Sequence, residues 1–181
     1  LMIVNPPLGR FNRWMSLCLS KMQGGSRLLL GALLGGMMAT DYGGPINKAA
    51  YVTGTLALVD LQYDLMAAVM AGGMVPPLGL ALACMLFPTR FTASDRRSVP
   101  QTAIMGLSFV TEGALPFALR DPLRVGPSCI AGSALAGFLA IFLGCGCPAP
   151  HGGLFLLPVM GNPLGFLLAL LGGSLLTALL L

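Results

Sequence analysis

From Val125 to Leu181 the chain holds no Asp, Glu, Lys or Arg. Over all 181 residues only 9% are charged, against 56% hydrophobic, and the mean hydropathy is +0.86. A soluble domain carries about 25% charged residues, so the ionic side chains here are too few to cover a water-facing surface. That scarcity excludes a water-soluble fold for the bulk of the chain. One bilayer crossing needs roughly 20 residues, and the uncharged C-terminal stretch is long enough for two.

Other absences narrow the chemistry. The net charge of +4 sits in short gaps between apolar runs, with no basic stripe and no interleaved aromatics, which excludes a nucleic-acid partner. There is no P-loop, no dinucleotide fingerprint, and no Ser or Cys beside a His to form a nucleophilic constellation. The five cysteines, Cys18, Cys84, Cys129, Cys145 and Cys147, are odd in number. Cys145-Gly-Cys147 lacks the CxxC spacing of a metal site and has no second pair, so neither a metal nor another cofactor is expected. Buried free thiols of this kind behave as small hydrophobes. The first residue is Leu1, and Leu181 ends an apolar run, so a piece of a longer polypeptide is expected.

What is present is a series of apolar runs with polar punctuation. Residues 1–27 carry Arg10, Arg13, Lys21 and Arg27 with no acid, and Trp14 stands among Phe11, Leu17 and Leu19. This reads as a basic interfacial helix on the cytoplasmic side, or as a plain juxtamembrane loop. Residues 28–181 then form the transmembrane part. Leu28–Ala39 would rise only ~18 Å as a helix, short of a hydrocarbon core. Asp41 to Lys48 follows, and then a second half-length run, Ala49–Val59. Such a pair predicts a broken helix or two short ones, a device that supplies substrate sites in transporters.

Asp60 to Asp64 is an acidic gap without a base, which places it outside the cell. Leu65–Phe87 is a clean span containing Pro76 and Pro77, and it leads to a loop with Arg90, Arg96 and Arg97, placed inside by the positive-inside rule. Ser98–Leu119 is mostly apolar, contains Glu112, is interrupted by Gly106, Gly113 and Pro116, and has Arg pairs at both flanks. A full crossing would leave one Arg pair outside. A re-entrant hairpin with Glu112 near its tip keeps both inside. Val125–Cys147 is a second clean span, and the Gly161-Asn162-Pro163 break predicts a short hairpin or half-helix before the last one. The fold class expected is an all-α membrane protein, a multi-span transmembrane helix bundle with broken helices and re-entrant hairpins.

An ionisable group in an apolar segment costs about 2.5–3.5 kcal/mol on insertion, so each one present is a candidate for function. Four qualify: Asp41, Lys48, Glu112 and His151. Asp41 and Lys48 flank one Gly-Pro break, where they either pair with each other or contact a substrate. Glu112 is either protonated by burial, paired with a distant Lys48, or a carboxylate that accepts sugar hydroxyls and takes a hydroxyl proton, with Thr111 beside it. His151 stands in Pro-His-Gly-Gly, where the irregular backbone lets a ligand approach an imidazole that is both donor and acceptor.

Asp41-Tyr-Gly-Gly-Pro45-Ile-Asn47-Lys48-Ala-Ala-Tyr51 resembles a block of the fructose-specific enzyme IIC of the bacterial phosphoenolpyruvate-dependent sugar phosphotransferase system. Residues 70–79, 106–117, 121–124 and 150–153 resemble later blocks of that family, in the same order. The resemblance implies a permease of the bacterial cytoplasmic (inner) membrane, multi-pass, that binds fructose or a related hexose and carries it inward. A phosphocysteine on an enzyme IIB domain, recharged by IIA, then phosphorylates the sugar, typically to fructose 1-phosphate. Glu112 and His151 are implied as the residues that handle the sugar, with Asp41, Asn47, Lys48 and Thr111 lining the same cavity. The phosphoryl-donating residues, the N-terminal spans, and the IIA and IIB domains are not in this chain. As part of a larger transferase it would lie in lipid as a homodimer. Two alternatives remain: an ion-coupled secondary sugar transporter, and an inactive truncated remnant.

Overall fold

The computed structural model describes residues 25–181, so the basic interfacial segment expected over residues 1–27 lies outside the described residues except for its last three. Seven α-helices follow one another: α1 (Gly25–Met38), α2 (Pro45–Val59), α3 (Tyr63–Leu86), α4 (Ala93–Leu107), the single turn α5 (Leu115–Ala118), α6 (Pro122–Phe142) and α7 (Pro163–Leu180). Short 3₁₀ stretches lie at Pro88–Arg90, Thr111–Ala114 and Gly153–Val159, and among the described residues there is no strand. The chain is an all-helical membrane bundle. Three helices, α3, α6 and α7, are long and apolar enough to cross a membrane.

The helix starts follow from local chemistry. Pro45, Pro122 and Pro163 occupy first-turn positions, where the missing N–H has no partner to lose. The Asp121 and Asn162 side chains accept from the N–H groups of Arg124 and Gly165, capping α6 and α7 at 3.2 and 3.0 Å. Thr92 and Asp95 form a reciprocal capping box at the start of α4.

Helix α3 is the axis of the bundle, with nearly its whole length buried from Leu65 to Cys84. Small residues let its neighbours approach closely. A Cβ on Gly72 would fall 2.5 Å from the Cα of Gly35 on α1, and one on Gly173 of α7 would fall 2.6 Å from the Gly132 carbonyl oxygen of α6.

Polar contacts show which ends of the helices lie together. At one end Arg27, at the start of α1, donates to both oxygens of Asp64, at the start of α3, over 2.6 and 2.8 Å. The Cys147 N–H donates to the Tyr63 carbonyl, and the Gly161 N–H to that of Gly146, each at 2.9 Å. At the other end Arg120 pairs with Asp95, and Arg90 donates to the Leu181 carbonyl at 2.9 Å.

The path that follows has three crossings and three reversals. Helices α1 and α2 enter and leave at the first end, α3 crosses, and residues 93–120 enter and leave at the second end. Helix α6 crosses back, residues 147–161 again enter and leave at the first end, and α7 makes the last crossing. The expected hairpin around Glu112 is present, its two ends joined by the Asp95–Arg120 pair. One expectation is corrected. Counting charges places Arg27 and the gap Asp60–Asp64 on opposite sides, whereas the two are in contact. The reason is that residues 25–59 reverse within the bundle and make no net crossing.

Candidate functional site

The three reversals bring their tips together. The first tip is the break between α1 and α2. The Asp41 carboxylate accepts the N–H groups of Ile46 and Asn47, at 2.7 and 2.9 Å, and so caps α2. Buried Asn47 donates its side-chain amide to the Met38 carbonyl at 2.6 Å, tying α2 to the end of α1. This tight turn places Gly43 at φ +104, in the left-handed region that favours glycine.

The second tip follows α4. Pro77 in α3 has no N–H, so the Gly73 carbonyl lacks its usual helical donor. The Thr111 hydroxyl fills that place, donating to Gly73 O at 2.9 Å in a fully buried contact. Gly73 lies near the middle of α3, which puts the tip carrying Thr111 and Glu112 at half the depth of a spanning helix.

The third tip is the His151 loop. Gly153, at φ +59, lies so close to residues 107–109 that its Cβ would come 2.9 Å from the Phe109 nitrogen. The His151 ring lies 5.2 Å, centroid to centroid, from that of Phe109.

Together the tips line an open cavity of about 460 Å³, within the usual range of about 300–1,000 Å³ for small-molecule sites. Asn47, Lys48, Thr111, Glu112 and His151 all line it. Asp41 does not, because both its oxygens are turned onto the α2 backbone. The ion pair weighed for Asp41 and Lys48 is not formed: among the described residues the ion pairs are Arg27–Asp64 and Arg120–Asp95. Lys48, Glu112 and His151 are exposed rather than packed away.

Sequence reasoning misses two rings of the same wall, Tyr51 and Phe109, and the contact of Gly43 with Glu112. An available signal for Phe109 is its place three residues before Glu112 in a Gly- and Pro-interrupted stretch. Cys84, Cys129, Cys145 and Cys147 are free and buried, and no group of three His, Cys, Asp or Glu side chains gathers as metal ligands would among the described residues.

The cavity therefore offers a carboxylate acceptor, an ammonium donor, an amide and an imidazole, beside an aromatic wall. Such a set suits a small neutral molecule rich in hydroxyl groups.

A "PTS system fructose-specific EIIC component" from Haloferax volcanii is 45% identical over 179 residues, covering 98% of this chain and 48% of that protein. The "Fructose permease IIC component" of Bacillus amyloliquefaciens is 46% identical over 180 residues, covering 99% of this chain and 59% of the relative. The chain is a homologue of fructose-specific EIIC components. A "PTS system fructose-specific EIIB'BC component" from Xanthomonas campestris is 47% identical over 179 residues, with 97% of this chain and 31% of that protein covered. The chain thus spans from about a third to three fifths of the length of these relatives, in their C-terminal region. No family model and no solved structure matches it.

The EIIC-like blocks now have positions. Residues 41–51 build the first tip, 106–117 the second and 150–153 the third, while 70–79 supply the proline-containing segment of α3 behind Thr111. Residues 121–124 cap α6, away from the cavity.

Proposed function

We propose that this chain carries the sugar-binding and translocating core of a phosphotransferase permease for fructose or a closely related hexose, seated in the bacterial cytoplasmic membrane. The observation that carries the reading is the convergence of tips from opposite ends of the bundle on one polar cavity at half the depth of α3. Discontinuous helices meeting near a bilayer midplane are how transporters build substrate sites.

In this reading the Glu112 carboxylate accepts hydrogen bonds from sugar hydroxyls, Lys48 and Asn47 hold further hydroxyls, and His151 offers a donor and an acceptor. Phosphorus arrives on the cysteine of an enzyme IIB domain, recharged by IIA, as the fused B and C components of the relatives' names suggest. The sugar oxygen attacks phosphorus, the S–P bond breaks as the O–P bond forms, and Glu112 takes the hydroxyl proton. The end of the bundle with Arg90, Arg96, Arg97, Arg120 and Arg124 against Asp95 and Asp121 is the cytoplasmic one by its excess of basic residues, so the donor domain approaches there. The exposed stripe Leu164, Leu168, Leu171, Leu175 and Leu179 on α7 faces lipid or the dimer partner of the complete permease.

The test is phosphorylation of labelled fructose by membrane vesicles holding the full-length gene product and a phosphorylated IIB donor. A hydrogen bond to a charged group contributes about 1.5–3 kcal/mol, so Glu112→Gln should lower turnover roughly 10- to 100-fold, and His151→Ala should lower it too. Undiminished phosphorylation in both variants would remove these residues from the site. Labelled sugar that accumulates without phosphate would make the protein a secondary transporter.

A further inference from the structure

Phe109 is only 6% exposed, yet its φ is +64, a conformation that bulky residues adopt only where their surroundings hold them in it. Here the surroundings close on several sides. A Cβ on Gly73 of α3 would fall 2.5 Å from Phe109 Cε2, and Gly153 presses on the Phe109 backbone. The Tyr51 ring, on α2, lies 6.2 Å from the Phe109 ring and is tilted by 40°, while the His151 ring lies at 5.2 Å with a tilt of 46°. Both separations fall in the aromatic contact range of about 4.5–7 Å. One buried ring therefore fixes two more accessible ones, each from a different reversal of the chain, on the wall of the cavity that holds Glu112 and Lys48.

We infer that Phe109 is a positioning residue for substrate recognition: it sets Tyr51 and His151 as a shelf for the C–H face of a cyclic hexose, while the charged groups take its hydroxyls. This rests on the permease reading above. A cyclic sugar has a rim of hydroxyls and a rigid apolar face whose weakly positive hydrogens match the negative face of an aromatic ring. An open-chain hexitol has the same hydroxyls without that rigid face. The shelf thus favours the closed sugar over the open one, a distinction that hydroxyl-binding groups alone make poorly.

The experiment uses the full-length gene product in membrane vesicles with a phosphorylated IIB donor and labelled fructose. Phe109→Leu should raise KM about tenfold, the loss of one aromatic contact, and should lower kcat by a smaller factor than the rise in KM. Phe109→Tyr should restore the wild-type KM. An unlabelled hexitol should compete better against fructose in Phe109→Leu than in the wild type. An unchanged KM, or an equal fall of kcat in both variants, would overturn the inference. Should Phe109→Leu fail to reach the membrane, Tyr51→Leu decides instead: the ring is half-buried, the same rise in KM is expected, and its absence counts against the shelf. Wild-type vesicles that phosphorylate no hexose would mean that the permease reading itself has failed.

Discussion

Glu112 rests against Gly43, so that a Cβ on the glycine would lie 2.8 Å from the carboxyl carbon. The contact joins two reversals that enter the bundle from opposite ends. Any movement of one tip is therefore felt at the carboxylate carried by the other.

Gly43→Ala should disable the site while leaving the protein in the membrane. The added methyl meets Glu112, and the φ of +104 is one that an L side chain resists, at about 1–2 kcal/mol. Displacing a sugar-handling group by about 1 Å lowers turnover by roughly 100-fold. Gly126→Ala is the control, because a Cβ there meets nothing within 4 Å. Fructose phosphorylation that is equal in the two variants would mean the tip contact carries no function.

The bond from Thr111 to Gly73 makes a second prediction. Thr111→Val keeps the side-chain shape but strands a buried carbonyl, which costs about 1–3 kcal/mol. Pro77→Ala supplies the missing N–H from within α3. Thermal unfolding in detergent should show Thr111→Val to be clearly destabilising alone and much less so in the Pro77→Ala background. Additive effects would show that the hydroxyl does not compensate for the proline.

The tips are legible in the sequence because Gly, Pro and lone ionisable groups stand out against apolar runs, as at Asp41 to Lys48 and around Glu112 and His151. Tyr51 and Phe109 give less contrast, being apolar-leaning rings in an apolar chain, and the contacts of the Phe109 ring with Tyr51 and His151 are what mark them. Thr111 is legible as a polar neighbour of Glu112, but its partner is set by a proline on another helix. The sidedness of Arg27 and Asp64 is not legible either. The opposite-side reading counts the two half-length runs together as one crossing, and α1 and α2 reverse instead.

Asp41 is expected to act on folding more than on sugar. Its two oxygens hold the first turn of α2, and replacing a cap of this kind by Ala costs about 0.5–2 kcal/mol. Asp41→Ala should lower the unfolding temperature with a small change in KM, and Asp41→Asn should recover part of the stability. A large rise in KM at unchanged stability would instead put the carboxylate in contact with substrate.

The pairing of Asp95 with Arg120 fixes the sidedness of the Glu112 hairpin, and labelling can test it. Ser94 and Leu123 are exposed, and flank the two mouths of that hairpin at the second end of the bundle; Asp60 is exposed and lies near Asp64 at the first. Single cysteines placed at 94, 123 and 60, in a background with the native cysteines replaced, should meet a membrane-impermeant maleimide from different directions. Positions 94 and 123 should label together from one side, and position 60 only from the other. The excess of arginine at the second end makes the cytoplasm the side for 94 and 123. Labelling of 94 and 123 from opposite sides would require residues 98–119 to cross fully. The segment would then have no reversal to place Glu112 at half depth, and the shared cavity could not exist as described.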